Sequence, residues 1–165
     1  MLGYVGLGSN IGDREEHLRA GLVAMAASGV TPIAVSSLWE TEPVGGAGPS
    51  WFLNMVARVA TALAPEEVLE VLLASERDRG RHRARPNAPR ELDLDLLTLG
   101  ELKRSTPELT LPHPRLGSRR FVLAPLAEIA PEFAGALERL VDPHQVRRIG
   151  KLALPETLPL YSPAL

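Results

Sequence analysis

Apolar positions recur along the chain in two rhythms, and their order predicts the fold. Leu2 to Leu7 alternates weakly and runs into Gly8-Ser9-Asn10, the pattern of a strand entering a loop. Asp13 with Glu16 three residues on makes a start like a capping box, and Leu18, Leu22 and Met25 then repeat at helical spacing until Gly29. Ile33 to Trp39 alternates and carries β-branched residues. A Gly/Pro-rich stretch, Glu42 to Ser50, separates it from a second strand-like run, Phe52 to Ala62, and the two read as an antiparallel pair joined by a long loop. Pro65-Glu66-Glu67 is a favourable first helical turn, with Val68, Leu69, Leu72 and Leu73 as the buried stripe behind it. Leu92 to Leu99 is the next strand.

The order β-α-β-β-α-β predicts an α+β protein of the ferredoxin-like class, an antiparallel sheet with two helices on one face and the other face free for ligands. Beyond Gly100 the pattern predicts a hairpin and short helices. Leu109-Thr110-Leu111 is extended, Ser118 to Ile129 is helical with an interruption at Pro125, and Asp142-Pro143 reads as the cap and first turn of a short helix. With 165 residues, no internal repeat and no low-complexity linker, the chain is expected to form one domain over residues 1–165.

Candidate chemistry enters with Asp93-Leu94-Asp95. On a strand both carboxylates point the same way, roughly 7 Å apart. Like charges so placed call for a cation, and oxygen ligands in ones and twos suit hydrated Mg²⁺ carrying phosphates better than zinc. Upstream, Arg77, Arg79, Arg81, Arg83, Arg85 and Arg90 crowd a segment that Gly80, Pro86 and Pro89 keep from being helical. Acids for metal beside arginines for phosphate point to nucleotide chemistry. The alternative is an Asp-bearing solvent face behind a solvated basic loop.

A formal net charge of −2 argues against a protein that coats nucleic acid or an anionic membrane and favours a local phosphate site. No cysteine is present, which excludes disulfides and thiolate metal sites. The first residues lack a basic leader followed by an apolar run, so a cytoplasmic location is expected.

Three further patterns each admit two readings. Gly6-x-Gly8-x-x-x-Gly12 has the look of a dinucleotide-binding turn, but its third glycine is one residue late, and a turn that serves only the fold is the other reading. Phe52 and Asn54 share a strand face, which suits either a flat heterocycle or a core ring beside a satisfied amide. His113 is held extended between Pro112 and Pro114 with Arg115, Arg119 and Arg120 close behind, as a phosphate contact or a structural histidine.

Taken as an ordered set, Gly8-Ser9-Asn10, Ser37 with Thr41-Glu42-Pro43, Phe52-Leu53-Asn54, Pro89-Arg90-x-Leu92-Asp93-Leu94-Asp95, and Leu111-Pro112-His113-Pro114 through Arg119-x-Phe121 resemble the 6-hydroxymethyl-7,8-dihydropterin pyrophosphokinases. The resemblance covers Gly8 to about Pro131. It implies a ferredoxin-like core and transfer of the β,γ-diphosphate of ATP to the pterin hydroxymethyl group, giving AMP, in folate biosynthesis. The expected partners are ATP and the pterin rather than nucleic acid or membrane, and a monomer is expected.

Carried over by position, the resemblance makes Asp93 and Asp95 ligands of two Mg²⁺ ions, with Asp95 also a candidate proton acceptor. Arg81 and Arg90 steady the diphosphate, while Arg83, His113 and Arg119 meet nucleotide phosphates. Glu76, Leu96 and Thr110 also lie at the nucleotide. Thr41, Val44, Phe52, Asn54 and Phe121 form the pterin pocket, and the loops Glu42 to Ser50 and Gly80 to Ala88 are its lids. Some relatives carry Trp-Gly where this chain has Asn87-Ala88, an aromatic residue where Pro114 stands, and a basic residue at Glu108.

Two rivals remain. An RNA-recognition module shares the element order, but it needs exposed aromatics on its central strands and this chain is only 4% aromatic. A different metal-dependent nucleotidyl or phosphoryl transferase is separated by whether ATP yields AMP or ADP.

Overall fold

The computed structural model describes residues 1–42, 51–80, 90–158 and 160. The elements run β1 (Leu2–Ser9), α1 (Arg14–Ala27), β2 (Val30–Val35), β3 (Leu38–Thr41), β4 (Phe52–Thr61), α2 (Pro65–Asp78), β5 (Asp93–Leu99), β6 (Arg104–Ser105), β7 (Thr110–Leu111), α3 (Arg120–Ile129), α4 (Ala134–Arg139) and β8 (Val146–Gly150). As far as β5 the observed order is the expected βαββαβ with its second strand divided in two. All pairings are antiparallel, in the order β5-β1-β4-β3-β8, with β2 also on β4 and β6–β7 as a separate hairpin.

Local chemistry explains the start of α1 and both ends of α2. Asp13 accepts the Glu16 N–H at 3.1 Å and starts α1. Pro65 opens α2, where a missing N–H costs nothing, and Gly80 closes it at φ +87°, the left-handed conformation that ends helices, just where the arginine-rich segment begins.

The expected strand Ile33 to Trp39 is two strands, β2 and β3, laid end to end along the same edge of β4. Pro32 has no N–H for the ladder and the register slips between Pro32 and Ala34. At the break, the Ser36 hydroxyl accepts the Val56 N–H at 2.9 Å, in place of a ladder carbonyl.

Strand alternation sends Val5, Leu7, Met55, Ala57, Val59, Leu94 and Leu96 to one side, against Leu18, Leu22 and Met25 of α1 and Val68 and Leu72 of α2. The other side is not wholly free: Val56 and Leu97 meet Leu123, Leu126 and Ala130, so α3 covers part of it with a second core. α3 is also continuous through Pro125, because burying Leu123 and Leu126 outweighs one absent backbone bond. Asp142-Pro143 starts no helix. The chain there is irregular, with a bend at His144 before β8, and the Asp142 carboxylate accepts the Arg120 N–H at the start of α3, so a distant helix takes the cap that the local sequence offered. Among the described residues no helix is long and apolar enough to cross a membrane.

Candidate active site

The end of the sheet that α3 leaves open is built around β1, the strand between β4 and β5. Gly8 stands opposite Asn54 on one side and Asp93 on the other, and Gly6 opposite Val56 and Asp95. Two glycines in the middle strand leave a floor without side chains between the amide and the carboxylates. A Cβ on Gly8 would lie 2.7 Å from Asn54 Oδ1, closer than side chains tolerate. The paired glycines therefore serve this face of the sheet, a third reading beside the dinucleotide turn and the plain turn. The slot they floor is narrow, about 30 Å³, and is walled by Asn54, Asp93, Asp95, Leu97 and Phe121.

A larger cavity, about 480 Å³, opens on the other side of the carboxylates. Glu76, Arg90, Asp93, Asp95, Leu96, Thr110, His113 and Arg119 all line it, together with Leu69, Leu73, Pro107, Glu108, Pro114 and Arg115. Among the described residues, Asp93 and Asp95 alone line both spaces.

The aspartate strand is braced from both sides. Glu76, 3% exposed, reaches from α2 to accept the Leu94 N–H at 2.9 Å, holding the backbone between the two aspartates. Arg90 Nη1 meets Asp93 Oδ2 at 3.0 Å. Asn10 holds Arg90 in turn: its side chain accepts the Arg90 N–H at 2.7 Å and its own N–H donates to the Arg90 carbonyl at 3.1 Å. Asn10 carried no assigned role in the sequence reading. It belongs to the Gly8-Ser9-Asn10 motif at a strand end, and nothing local pairs it with a residue so distant in the chain.

Burial pushes the His113 imidazole below its ordinary pKa, and the charges of Arg119 and Arg115 push the same way against the weaker opposite pull of Asp93. Its Nδ1 accepts the Arg115 N–H at 3.1 Å, so a neutral ring carries its proton on Nε2, a donor for an anionic ligand. Burial and the Arg115 charge likewise lower Arg119, while Asp95 and Asp93 raise it, and a guanidinium stays charged throughout the physiological range. Arg119 lies 5.3 Å from the centre of the Phe121 ring.

On the slot side, Asn54 Nδ2 donates to Thr41 Oγ1 at 2.9 Å, both residues being buried. This bond fixes which way the amide faces. Phe52 lies beside them, its ring 3.7 Å from where a Gly8 Cβ would stand. Trp51 has Arg147 over its ring at 4.9 Å and accepts a bond from Arg14 through its carbonyl. Val44, Arg81 and Arg83, and with them nearly all of the two loops assigned as lids, lie outside the described residues.

The fold is of the ferredoxin-like class, with the two spaces at the open end of its sheet. Residues 4–131 match the 7,8-dihydro-6-hydroxymethylpterin-pyrophosphokinase (HPPK) family. The chain is 45% identical over 129 residues to the 2-amino-4-hydroxy-6-hydroxymethyldihydropteridine pyrophosphokinase of Bacillus subtilis, covering 78% of this chain and 77% of that one. To the enzyme of the same name from Methylorubrum extorquens it is 40% identical over 154 residues, covering 88% and 97%. Among solved structures, wild-type HPPK-DHPS of Plasmodium falciparum aligns at a TM-score of 0.60 with 13% identity, over 84% of this chain and 43% of that longer one, a likeness of fold alone. The chain belongs to the 7,8-dihydro-6-hydroxymethylpterin-pyrophosphokinase family. It is a pyrophosphokinase, a diphosphotransferase of folate biosynthesis.

Proposed function

We propose that the two spaces are the two substrate sites of this reaction, ATP in the large cavity and 6-hydroxymethyl-7,8-dihydropterin in the slot. The observation that carries the reading is the position of Asp93 and Asp95 in the wall that both spaces share. A diphosphate leaving one site for a hydroxyl in the other has to pass them.

The donor set fits two Mg²⁺ ions. Asp93 and Asp95 offer carboxylate oxygens in the shared wall, and no group of three or more His, Cys, Asp or Glu side chains among the described residues forms an all-protein cage. Ions that keep water and share phosphate oxygens need only one or two carboxylates. When bound, they would neutralise phosphate charge and bring the two substrates' oxygens together.

The chain's own groups do the rest. Arg90, Arg119 and the Nε2–H of His113 face the phosphates, and Glu76 keeps the aspartate strand in place. Asn54, oriented by Thr41, reads the polar edge of the heterocycle, and Phe52 and Phe121 offer ring faces. Phe121 stands in the slot wall, where its ring would stack on the pterin. The new bond joins the hydroxymethyl oxygen to the β-phosphorus, the bond from that phosphorus to the α,β-bridging oxygen breaks, and AMP leaves. Asp95 is the proposed acceptor of the hydroxyl proton. Catalysis of this kind is mostly alignment and charge neutralisation. A single domain acting as a monomer is part of the same proposal.

The test is product analysis. ATP with the pterin alcohol and Mg²⁺ is expected to give AMP and the pterin diphosphate. Formation of ADP, or AMP formation unaffected by omitting the pterin, would overturn the reading.

A further inference from the structure

Arg119 and Phe121 line different spaces, and the residue between them, Arg120, is tied down by a segment beyond the family match, which ends at residue 131. We propose that Asp142 is a positioning residue for both substrate sites: by capping α3 it sets where Arg119 and Phe121 stand. This rests on the assignment of Arg119 to the nucleotide and Phe121 to the pterin made above.

α3 has no cap from its own neighbourhood. Arg119, just before the first turn, is in extended backbone and its side chain makes no capping bond. The missing acceptor is Asp142 Oδ2, which takes the Arg120 N–H at 3.0 Å. A carboxylate here also meets the positive end of the helix dipole. The Arg120 side chain runs back to the same segment, its Nη2 donating to the carbonyls of Leu140 at 3.3 Å and Asp142 at 3.4 Å.

The clamp is itself fixed. Asp142 Oδ1 accepts the His144 N–H at 3.0 Å and lies 2.6 Å from His144 Nδ1, and the aspartate side chain is only 7% exposed. Both carboxylate oxygens are thus committed, one to the helix and one to the strand lead-in. If the first turn of α3 slid or rotated, Arg119 and Phe121 would move together, away from the phosphates and from the slot.

The far end of the same helix supplies the control. Glu128 accepts from the Ser37 N–H, the Ser37 hydroxyl and Trp39 Nε1, fastening α3 to the sheet without lining either space. In steady-state assays of the full chain, Asp142→Ala is expected to raise KM for ATP and for the pterin alcohol together, each about fivefold. Asp142→Asn keeps an acceptor oxygen and should recover most of both. Glu128→Gln should lower Tm comparably and leave both KM values at wild type. Where Asp142→Ala does not fold, Arg120→Ala, which keeps the amide and drops both guanidinium bonds, should show a smaller joint rise.

Wild-type KM values in a folded Asp142→Ala, or in Arg120→Ala where it stands in, would overturn the proposal. So would an equal rise in Glu128→Gln at matched loss of Tm. Arg119→Ala and Phe121→Ala test the underlying assignment separately: if each keeps wild-type affinity for its substrate, that assignment has failed rather than the clamp.

Discussion

Asn54→Ala should separate the two substrate sites cleanly. The amide is 7% exposed, and its Nδ2 is held by Thr41 Oγ1 at 2.9 Å, so it presents a fixed donor and acceptor to the slot. A heterocycle edge loses two hydrogen bonds worth about 1 kcal/mol each when the amide is removed, and its own polar groups left unpaired add roughly another 1 kcal/mol. The sum, about 3 kcal/mol, corresponds to about a hundredfold rise in KM for the pterin alcohol. Nucleotide affinity should change less than about twofold, because Asn54 and Asp93 flank Gly8 at two strand spacings, roughly 9.5 Å. Thr41→Val removes only the orienting bond and should cost about fivefold in the same KM. Initial rates of AMP formation against pterin alcohol at saturating Mg²⁺-ATP give one quantity, and calorimetric titration with a non-hydrolysable ATP analogue gives the other. If nucleotide affinity fell as far as pterin KM rose, the two-space reading of the sheet face would be wrong.

Asp93→Asn and Asp95→Asn should each cut turnover by at least about a hundredfold while leaving the circular dichroism spectrum unchanged, and near-wild-type turnover at high Mg²⁺ would remove the metal assignment. Gly8→Ala places a methyl group 2.7 Å from Asn54 Oδ1 and should raise pterin KM with little effect on nucleotide titrations; unchanged pterin kinetics would show that the slot accommodates it. Glu128→Gln replaces a carboxylate that accepts from the Ser37 N–H at 2.9 Å, the Ser37 Oγ at 2.6 Å and Trp39 Nε1 at 3.1 Å, and should cost about 1.5–3 kcal/mol, lowering Tm by roughly 4–10 °C. Burial pushes the Glu128 carboxyl up, but the Ser37 and Trp39 bonds and the Arg148 charge outweigh it and hold the carboxyl below its ordinary value of 4.5. Its contribution is therefore complete above the unfolded pKa and lost as pH falls through the lower folded one, so the gap between wild type and variant should close in acid; a gap that widens there would contradict the assignment.

Much of this protein is legible in one dimension because the responsible forces are local. Period-two alternation puts Asp93 and Asp95 on one face whatever the strand packs against, and Asp13, Pro65 and Gly80 act on helix ends within their own turns. The ordered motifs carried the family, since residue identity at fixed spacing survives without coordinates. What the chain leaves open is which distant group satisfies a given donor or covers a given face. Ser36 breaks one expected strand because the Val56 N–H of the partner strand β4 finds the Ser36 hydroxyl where a ladder carbonyl would be. Asp142 looks like a local cap, yet it serves α3 because the Arg120 N–H, with no local side-chain acceptor, lies within its reach in space. The glycines of β1 read as turn residues until β4 and β5 close on either side and make them the floor between an amide and two carboxylates. Each of those outcomes follows from burial: once a backbone group or an apolar face loses water, it takes whatever partner the fold has brought within a few ångströms, and no window along the sequence contains both members of the pair.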